Sequence, residues 1–289
     1  MKRLIVLLAV IGLLTIGGRA QGSSTPDCRN CNQVYGGIPL FRTIDGALAS
    51  DSLVVLESTN FIVGYSEDRM NPLWVSYRVC PVTPEGSAPS FGWRLDTRTS
   101  SRVSDTDYRY TGYQRGHMAP KATIFHCYGD NATRDTFVLT NACPQTPEFN
   151  NGPWKALEEL VRRRYGLLYE GVWVTTGPIF DDCNGRTLLV KDEGHEDWCQ
   201  KPVEVPDAFF KIIIDLQDGV PRALAFIINH DQGYGYGEGT TSTERLSVFL
   251  TSINEIESLT GLDFFWALEN ELEATLEASV ADSMWLATP

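Results

Sequence analysis

The order of apolar runs along the chain constrains its fold more than any other feature. Short apolar segments typical of β-strands lie at 53–56, 61–65, 74–79, 137–141, 172–176, 209–215 and 223–229. Helical patterns follow Gly152 and cover 246–257 and 268–280. Because strands and helices do not alternate regularly, the pattern predicts an α+β fold. We expect a mixed, mainly antiparallel central sheet flanked by helices.

Several of these segments carry more detailed predictions. The runs at 53–56 and 61–65 are expected to form the first hairpin, and the alternation at 74–79 predicts a half-buried strand. Pro153 is well placed to open a helix, which would leave Asn150 just before the first turn. The buried face of that helix would carry Trp154, Leu157, Val161 and Tyr165, with Gly166 as its end.

Two clusters of polar residues lie between Tyr110 and Glu158. The first contains Arg115 and His117, and the second contains Asn150 and Glu158, eight residues apart. A neutral imidazole can deprotonate water near pH 7. A hard divalent cation held by oxygen ligands can neutralise charge on a phosphate. These residue types therefore suit metal-assisted cleavage of a phosphodiester.

The clusters resemble the motifs of the DNA/RNA non-specific endonucleases of the ββα-metal (His-Me finger) superfamily. In that family Asp-Arg-Gly-His is followed by Pro-Gln and then by Asn, Trp and Glu. The matching residues here are Gln114 to His117, Pro144, Gln145, Asn150, Trp154 and Glu158. The resemblance covers roughly residues 50–268 in the same order, and it implies a ββα-metal active-site core.

The resemblance also implies the metal and the catalytic base. His117 would take a proton from the attacking water, and the products would carry 5′-phosphates. Asn150 would be the direct protein ligand of Mg²⁺, with Mn²⁺ as an alternative ion, and Glu158 would hold the waters of the metal. One amide oxygen and a carboxylate acting through water suit Mg²⁺, which needs few protein ligands. An ion pair of Glu158 with Arg162 on the helix surface is the simpler alternative.

Phosphate binding is assigned to the arginines of the motif. Arg115 would hold a phosphate oxygen, because guanidinium geometry matches phosphate, and Arg162 is a second candidate for this role. We group Gln114 with these substrate-binding residues. Asn141 would support the site without acting chemically. For the other three histidines, His126, His195 and His230, a structural role is expected.

Gln114 departs from the family pattern, which has Asp at this position. A glutamine can accept a hydrogen bond but brings no charge. We therefore expect weaker metal binding or an altered metal preference, with activity retained.

The N-terminus has the pattern of a secretory signal peptide. A charged start precedes a run of about a dozen apolar residues and then Gly18-Arg19-Ala20. We expect a signal peptide at 1–20, a leader loop at 21–45 and a single endonuclease domain at 46–289 with an acidic C-terminal helix. The protein would be secreted or periplasmic, and no later segment is long and apolar enough to span a membrane.

The charge balance is unusual for a nucleic-acid enzyme. Loss of Lys2, Arg3 and Arg19 would take the formal charge from −13 to −16, whereas phosphate binding requires Lys and Arg. Residues 94–121 nevertheless hold six basic residues against three acidic ones. A locally basic cleft on an acidic body can attract DNA and/or RNA through the phosphate backbone. Without a base-reading motif, cleavage would show little sequence preference.

Seven cysteines in an exported chain indicate disulfides, and the odd count leaves at least one outside an intrachain pair. Cys183 and Cys199 bracket a polar loop and are the expected pair. Cys28 and Cys31 favour a structural disulfide over a zinc or redox motif, and Cys143 is expected to pack or pair.

Two other functions fit the same sequence. One is a catalytically weakened or inactive nucleic-acid-binding protein of the same fold, favoured by Gln114 and the acidic balance. The other is an interaction domain, in which His117→Ala would change no activity.

Overall fold

The computed structural model of the protein describes residues 32–42, 53–83, 85–195, 200–232 and 243–285. Its strands are β1 (Leu40–Phe41), β2 (Leu53–Glu57), β3 (Phe61–Ser66), β4 (Asn71–Val79), β5 (Gln114–His117), β6 (Ala142–Gln145), β7 (Val172–Ile179), β8 (Ala208–Gln217), β9 (Val220–Asn229), β10 (Leu250–Thr251) and β11 (Leu262–Asp263). Seven of them form an antiparallel sheet in the order β10-β9-β8-β7-β4-β3-β2. Strands β5 and β6 form a separate ribbon, as do β1 and β11.

Helices lie on both sides of this sheet. The short ones are Asp105–Tyr108, Lys121–Tyr128, Asp130–Thr136 and Thr243–Leu246, and single 3₁₀ turns cover Leu139–Asn141, Asp182–Asn184 and Ser247–Phe249. A continuous helical segment at 147–168, here called the site helix, is built from Pro147–Phe149, Asn150–Trp154, Lys155–Leu160, Val161–Tyr165 and Gly166–Leu168. Helices Ile253–Thr260 and Asn270–Ala278 follow near the C-terminus.

The central sheet is buried on both faces, and β8 shows why its sequence permits this. Successive side chains of a strand point to opposite faces. Phe209 and Ile213 join the core beneath the site helix. Phe210 and Ile212 join the core beneath the two C-terminal helices. The fold is therefore a three-layer α+β arrangement, and the predicted fold class is confirmed.

The prediction of most sheet strands is confirmed, including the hairpin of β2 and β3. The burial of β4 differs from the prediction. We expected a half-buried strand, but eight of its nine residues are buried and Arg78 is partly exposed. The reason is that helices cover both faces of the sheet, so that polar residues such as Ser76 are also enclosed.

Three predicted elements are wrong in detail. The segment 137–141 ends in a 3₁₀ turn, and the strand follows it as β6. The site helix begins at Pro147, not at Pro153, and it continues past Gly166 to Leu168. The single helix expected at 246–257 is interrupted by β10, whose residues pair with β9. The acidic helix is confirmed at Asn270–Ala278.

The predicted pair of Cys183 and Cys199 is wrong, because Cys183 is a free, exposed thiol. Cys199, Cys28, Cys31 and the expected signal peptide lie outside the described residues. No helix in the described ranges is long and apolar enough to cross a membrane.

Candidate active site

The β5–β6 ribbon carries the first polar cluster. His117 pairs with Ala142, and Gly116 pairs with Cys143. A Cβ atom on Gly116 would lie 2.0 Å from Oε1 of Gln145. The glycine is therefore required because the side chain of Gln145 crosses the ribbon at this point.

The site helix carries the second cluster. Thr146 caps its N-terminus, since its hydroxyl oxygen accepts a hydrogen bond from the Phe149 amide, and Pro147 occupies the first turn. The backbone widens into a π-helical turn at Asn150–Trp154, where Gly152 departs from helical geometry with φ −98° and ψ −115°. Asn150 thus lies inside the helical segment, and not before it as the sequence suggested. Such wide turns are frequent at functional sites.

Ribbon and helix enclose a cavity of about 230 Å³. The lining residues are His117, Pro120, Lys121, Ala122, Thr123, Asn150, Asn151, Lys155, Glu158, Glu159 and Arg162. Four residues predicted from sequence therefore converge on one space: His117, Asn150, Glu158 and Arg162.

His117 lies in an aromatic setting that the sequence did not reveal. Its ring centroid is 4.5 Å from that of Trp93 and 4.9 Å from that of Phe137. Its Nε2 atom is buried and has no hydrogen-bond partner among the described residues. Burial, and then the positive charge of Lys121, lower the pKa of His117 from 6.5 to about 3. The imidazole is consequently neutral, the form that can accept a proton.

Gln114 contacts Asn150 directly. The Asn150 Nδ2 atom donates a hydrogen bond of 2.7 Å to Oε1 of Gln114. Asn151 Nδ2 donates to the same oxygen at 3.3 Å. Because its nitrogen is engaged in this way, the Asn150 amide has its Oδ1 atom available as a ligand. An amide oxygen with the nearby Glu158 carboxylate is a donor set that fits a hard divalent cation.

Glu158 and Lys211 of β8 each shift the pKa of the other. Burial raises the pKa of Glu158, and the positive charges of Lys211 and Arg162 oppose that rise. Burial lowers the pKa of Lys211, and Glu158 opposes that change in turn. Lys211 is fully enclosed, with its Nζ atom 4.1 Å from the ring centroid of Trp154 and 3.3 Å from Oγ1 of Thr176.

We did not single out Lys211 as a site residue from the sequence. The available signal was its position between Phe209 and Ile213, which places its side chain on the same sheet face as theirs. A lysine on a strand face covered by a helix must be buried, and buried lysines are paired or functional.

Positive charge reaches the cavity from three residues. Arg162 is only 8% exposed, and its pKa is lowered by burial and by Arg163. Lys121 and Lys155 also line the cavity, and neither was assigned to the site from sequence. These groups give positive charge to the cavity that His117 and Asn150 also line.

Arg115 lies outside this cavity. Its Nε atom is 2.7 Å from Asp105 Oδ1, and its Nη2 atom donates to the Asp105 carbonyl oxygen at 2.8 Å. The guanidinium also lies over the ring of Tyr108. Arg115 does not line the described cavity, so the structure does not bring it together with the other predicted residues.

Asn141 is fully buried next to the ribbon. Its Oδ1 atom accepts a hydrogen bond from the Ala119 amide, and its Nδ2 atom donates to the carbonyl oxygens of Ala119 and Thr136. These bonds fix the chain two residues after His117. The geometry fits the supporting role suggested by sequence.

His230 holds the start of the site helix. Its Nε2 atom accepts a hydrogen bond from the Thr146 amide at 2.9 Å, while Nδ1 lies 2.7 Å from the Pro206 carbonyl oxygen. Both contacts are of the kind that a structural histidine makes, and a structural role for His230 stays a prediction.

The ribbon presents a histidine, and the helix that follows presents an asparagine and a glutamate. This is the order of a ββα-metal site. The chain also matches the family described as DNA/RNA non-specific endonuclease over residues 42–271. The chain belongs to the DNA/RNA non-specific endonuclease family.

Members of this family resemble the chain at moderate identity. Mitochondrial Endonuclease G of Bos taurus is 30% identical over 165 residues, which cover 54% of this chain and 52% of that protein. Mitochondrial Nuclease EXOG of Mus musculus is 26% identical over 227 residues, covering 73% and 56%. A nuclease of Serratia marcescens is 26% identical over 212 residues, covering 71% and 72%. The chain spans about half the length of the first two relatives.

A solved endonuclease structure has the same fold. The structure titled as the EndoG/EndoGI complex, on the mechanism of EndoG inhibition, superimposes with a TM-score of 0.61 at 25% identity. The superposition covers 75% of this chain and 88% of that one.

Proposed function

We propose that the protein is a divalent-metal-dependent endonuclease that hydrolyses phosphodiester bonds of DNA and/or RNA with little sequence preference. The observation that carries this proposal is the convergence of His117, Asn150, Glu158 and Arg162 on one cavity. Membership of the endonuclease family supports the same activity.

In the proposed reaction, His117 acts as the general base. Its neutral imidazole accepts a proton from a water molecule, and the oxygen of that water attacks phosphorus. The bond from phosphorus to the 3′ oxygen breaks, and that oxygen takes a proton from a solvent water, so the products carry a 3′-hydroxyl and a 5′-phosphate. Trp93 and Phe137 fix the plane of the imidazole and exclude bulk water from it. Burial of the ring, and then the positive charge of Lys121, keep the imidazole neutral at acidic pH.

Asn150 and Glu158 are the residues that would hold the metal ion, Mg²⁺ by preference and Mn²⁺ as a substitute. Asn150 Oδ1 would bind it directly and Glu158 through water. When bound, such an ion neutralises negative charge on the phosphoryl and leaving oxygens. Gln114 orients the Asn150 amide for this purpose by accepting its N–H.

Substrate binding in this proposal depends on phosphate contacts. Arg162, Lys121 and Lys155 surround the space where the phosphate would bind, and Arg162 can bind it with two parallel hydrogen bonds. Contacts to the backbone carry no sequence information, which accounts for the low sequence preference.

We also propose that the protein is exported. The pattern of residues 1–20 supports a signal peptide. A disulfide at Cys80 belongs to the same proposal. Detection of the protein in the culture medium or periplasm, with an N-terminus at Gln21, is the expected result. An intact N-terminus on protein retained inside the cell would contradict it.

The deciding experiment is cleavage of plasmid DNA and of RNA with Mg²⁺, with Mn²⁺ and with a chelator. We expect chelator-sensitive cleavage that His117→Ala abolishes and His195→Ala retains, because His195 stacks on Tyr110 and does not line the cavity. Absence of cleavage by folded protein at every metal concentration would instead favour the nucleic-acid-binding alternative, which a filter-binding measurement would then detect.

A further inference from the structure

Three carboxylates meet where the C-terminal elements converge, away from the cavity described above. Glu257 lies on helix Ile253–Thr260, Asp263 ends β11, and Glu277 lies on helix Asn270–Ala278. One oxygen atom from each side chain lies within 4.8 Å of those of the other two. None of the three residues lines the cavity that contains His117.

The backbone holds two of these carboxylates in place. Gly261 ends helix Ile253–Thr260 in the left-handed conformation, with φ 69°, so the chain reverses directly after it. Glu257 Oε1 then accepts a hydrogen bond of 2.7 Å from the Phe264 amide. Asp263 is fixed in turn by the pairing of β11 with β1. The cluster is thus a consequence of rigid elements, and not of flexible surface side chains.

Glu277 supplies a second observation, because it is buried and incompletely bonded. Its side chain is only 8% exposed, next to Leu276 in the core. Its Oε1 atom is shielded from solvent and has no hydrogen-bond partner among the described residues. A buried carboxylate oxygen without a partner is costly and rare in folded proteins. An electropositive ligand at this position would remove that cost.

The charge of the cluster indicates what kind of ligand fits. Arg42 Nε donates to Asp263 Oδ2 and neutralises one carboxylate. Fully ionised, the three carboxylates and the one guanidinium carry a formal charge of −2. Without a cation, burial and the repulsion of neighbouring carboxylates raise the pKa of Glu257 to about 7 and that of Glu277 to about 8. A divalent cation would balance this charge.

We propose that Glu257, Asp263 and Glu277 bind a divalent, oxygen-preferring cation, with Ca²⁺ as the best fit. Ca²⁺ accepts six to eight oxygen ligands in irregular geometry, whereas Mg²⁺ demands a nearly ideal octahedron. Glu257 and Asp263 are partly exposed, which gives the ion access and lets water complete its coordination. The bound ion joins helix Asn270–Ala278 to β11 and stabilises the C-terminal part of the domain.

The test is a Ca²⁺ titration of the melting temperature, starting from protein treated with chelator. Wild type is compared with Glu277→Gln and with Glu271→Gln, an equal charge change at an exposed position of the same helix. We expect Ca²⁺ at 100-fold above its Kd to raise the wild-type Tm by about 5 °C or more. The rise should persist in Glu271→Gln and vanish in Glu277→Gln.

The Asn150→Ala variant distinguishes cation binding at the acidic cluster from metal binding in the nuclease cavity. If the cation binds at the acidic cluster, Asn150→Ala keeps the full Ca²⁺-dependent rise in Tm even where it has lost nuclease activity. If Glu277→Gln fails to fold, Glu257→Gln serves instead, because a glutamine oxygen can still accept the Phe264 amide. No rise in the wild-type Tm up to about 10 mM Ca²⁺, above the range of protein calcium sites, would overturn the proposal. An undiminished rise in Glu277→Gln would overturn it equally.

Discussion

The Asn150 side chain is bound to Gln114 through a 2.7 Å hydrogen bond from Nδ2 to Oε1. This contact joins the first residue of β5 to the first turns of the site helix, and the two residues are 36 apart in sequence. It fixes which end of the Asn150 amide is available to a cation. In the function we propose, Gln114 therefore orients a metal ligand, although it lacks the charge of the aspartate that is usual at this position in the family.

Replacing Gln114 with Asp should strengthen metal binding. A carboxylate accepts the Asn150 N–H more strongly than an amide oxygen does, and it adds negative charge near the ion. We expect Gln114→Asp to lower the Mg²⁺ concentration for half-maximal cleavage about fivefold, and Gln114→Leu to raise it about as much. Cleavage rates over a Mg²⁺ titration measure both. An unchanged or raised requirement in Gln114→Asp would argue against an orienting role for Gln114.

The stability of the protein should depend on pH through His117. Its pKa is about 3 in the folded protein and 6.5 in the unfolded chain. Between pH 3 and pH 6.5 the unfolded state therefore binds more protons than the folded state. The stabilising contribution is complete above pH 6.5 and is lost as the pH falls towards 3, by up to about 1.4 kcal/mol per pH unit.

His117→Asn should remove this dependence. Urea unfolding at about pH 7 and about pH 4.5 is expected to show a smaller loss of unfolding free energy for the variant than for wild type. His195→Asn, outside the cavity, should behave as wild type does. Parallel pH profiles for wild type and His117→Asn would show that His117 is not buried in neutral form.

The two predicted phosphate-binding arginines should differ in their effects. Arg162 lines the cavity, whereas the guanidinium of Arg115 is bound to Asp105. We expect Arg162→Ala to lower kcat/KM about 100-fold, in keeping with the loss of a charged contact to the reacting phosphate. Arg115→Ala should chiefly reduce stability. Equal losses of kcat/KM at unchanged stability would show that Arg115 turns towards the substrate.

Gly116 should not tolerate a side chain. Because its Cβ position lies 2.0 Å from Gln145 Oε1, Gly116→Ala is expected to destabilise the fold by about 1–3 kcal/mol. Gly92→Ala is the matched control, since nothing lies within 4 Å of a Cβ atom there. Adding Gln145→Ala should restore much of the loss. A Gly116→Ala variant as stable as Gly92→Ala would contradict the close approach.

The sequence predicted the part of the site that lies within one continuous stretch. His117, Asn150 and Glu158 are recognisable because a single ribbon–helix unit carries them in a fixed order. Trp93 and Lys211 come from distant segments, and only the tertiary fold brings them to this unit. The fold class was predictable from the irregular order of strands and helices, because that order excludes a regular βαβ arrangement.

The errors in element boundaries have local physical causes. Pro147 and Pro153 both suit the first turn of a helix. The helix begins at Pro147 because Thr146 caps it there. Pro144 disfavours a central strand, yet β6 accepts it because it belongs to a two-stranded ribbon. Leu250 continues a helical pattern in sequence, but pairing with Phe226 extends the sheet instead.

The electrostatic interaction of Glu158 with Lys211 leads to a further prediction about the core beneath the active site. Lys211 is fully buried, and no salt bridge to it is formed among the described residues, so its charge is balanced by Glu158 at longer range. Removing Glu158 leaves Lys211 without its compensating charge, and removing Lys211 leaves Glu158 with Arg162 alone, in a medium of low dielectric constant. Lys211→Met and Glu158→Gln should each lower the unfolding free energy, by about 3 kcal/mol.

The double variant Lys211→Met/Glu158→Gln should lose less unfolding free energy than the two single variants lose together, since it removes both members of the charge pair. Urea unfolding of the four proteins of this cycle gives the interaction energy directly. Lys155→Met, at the exposed edge of the cavity, is the control for loss of a lysine and should change stability by less than about 0.5 kcal/mol. Additive losses in the cycle would mean that Lys211 is held by Trp154 and Thr176 alone and is electrostatically independent of Glu158.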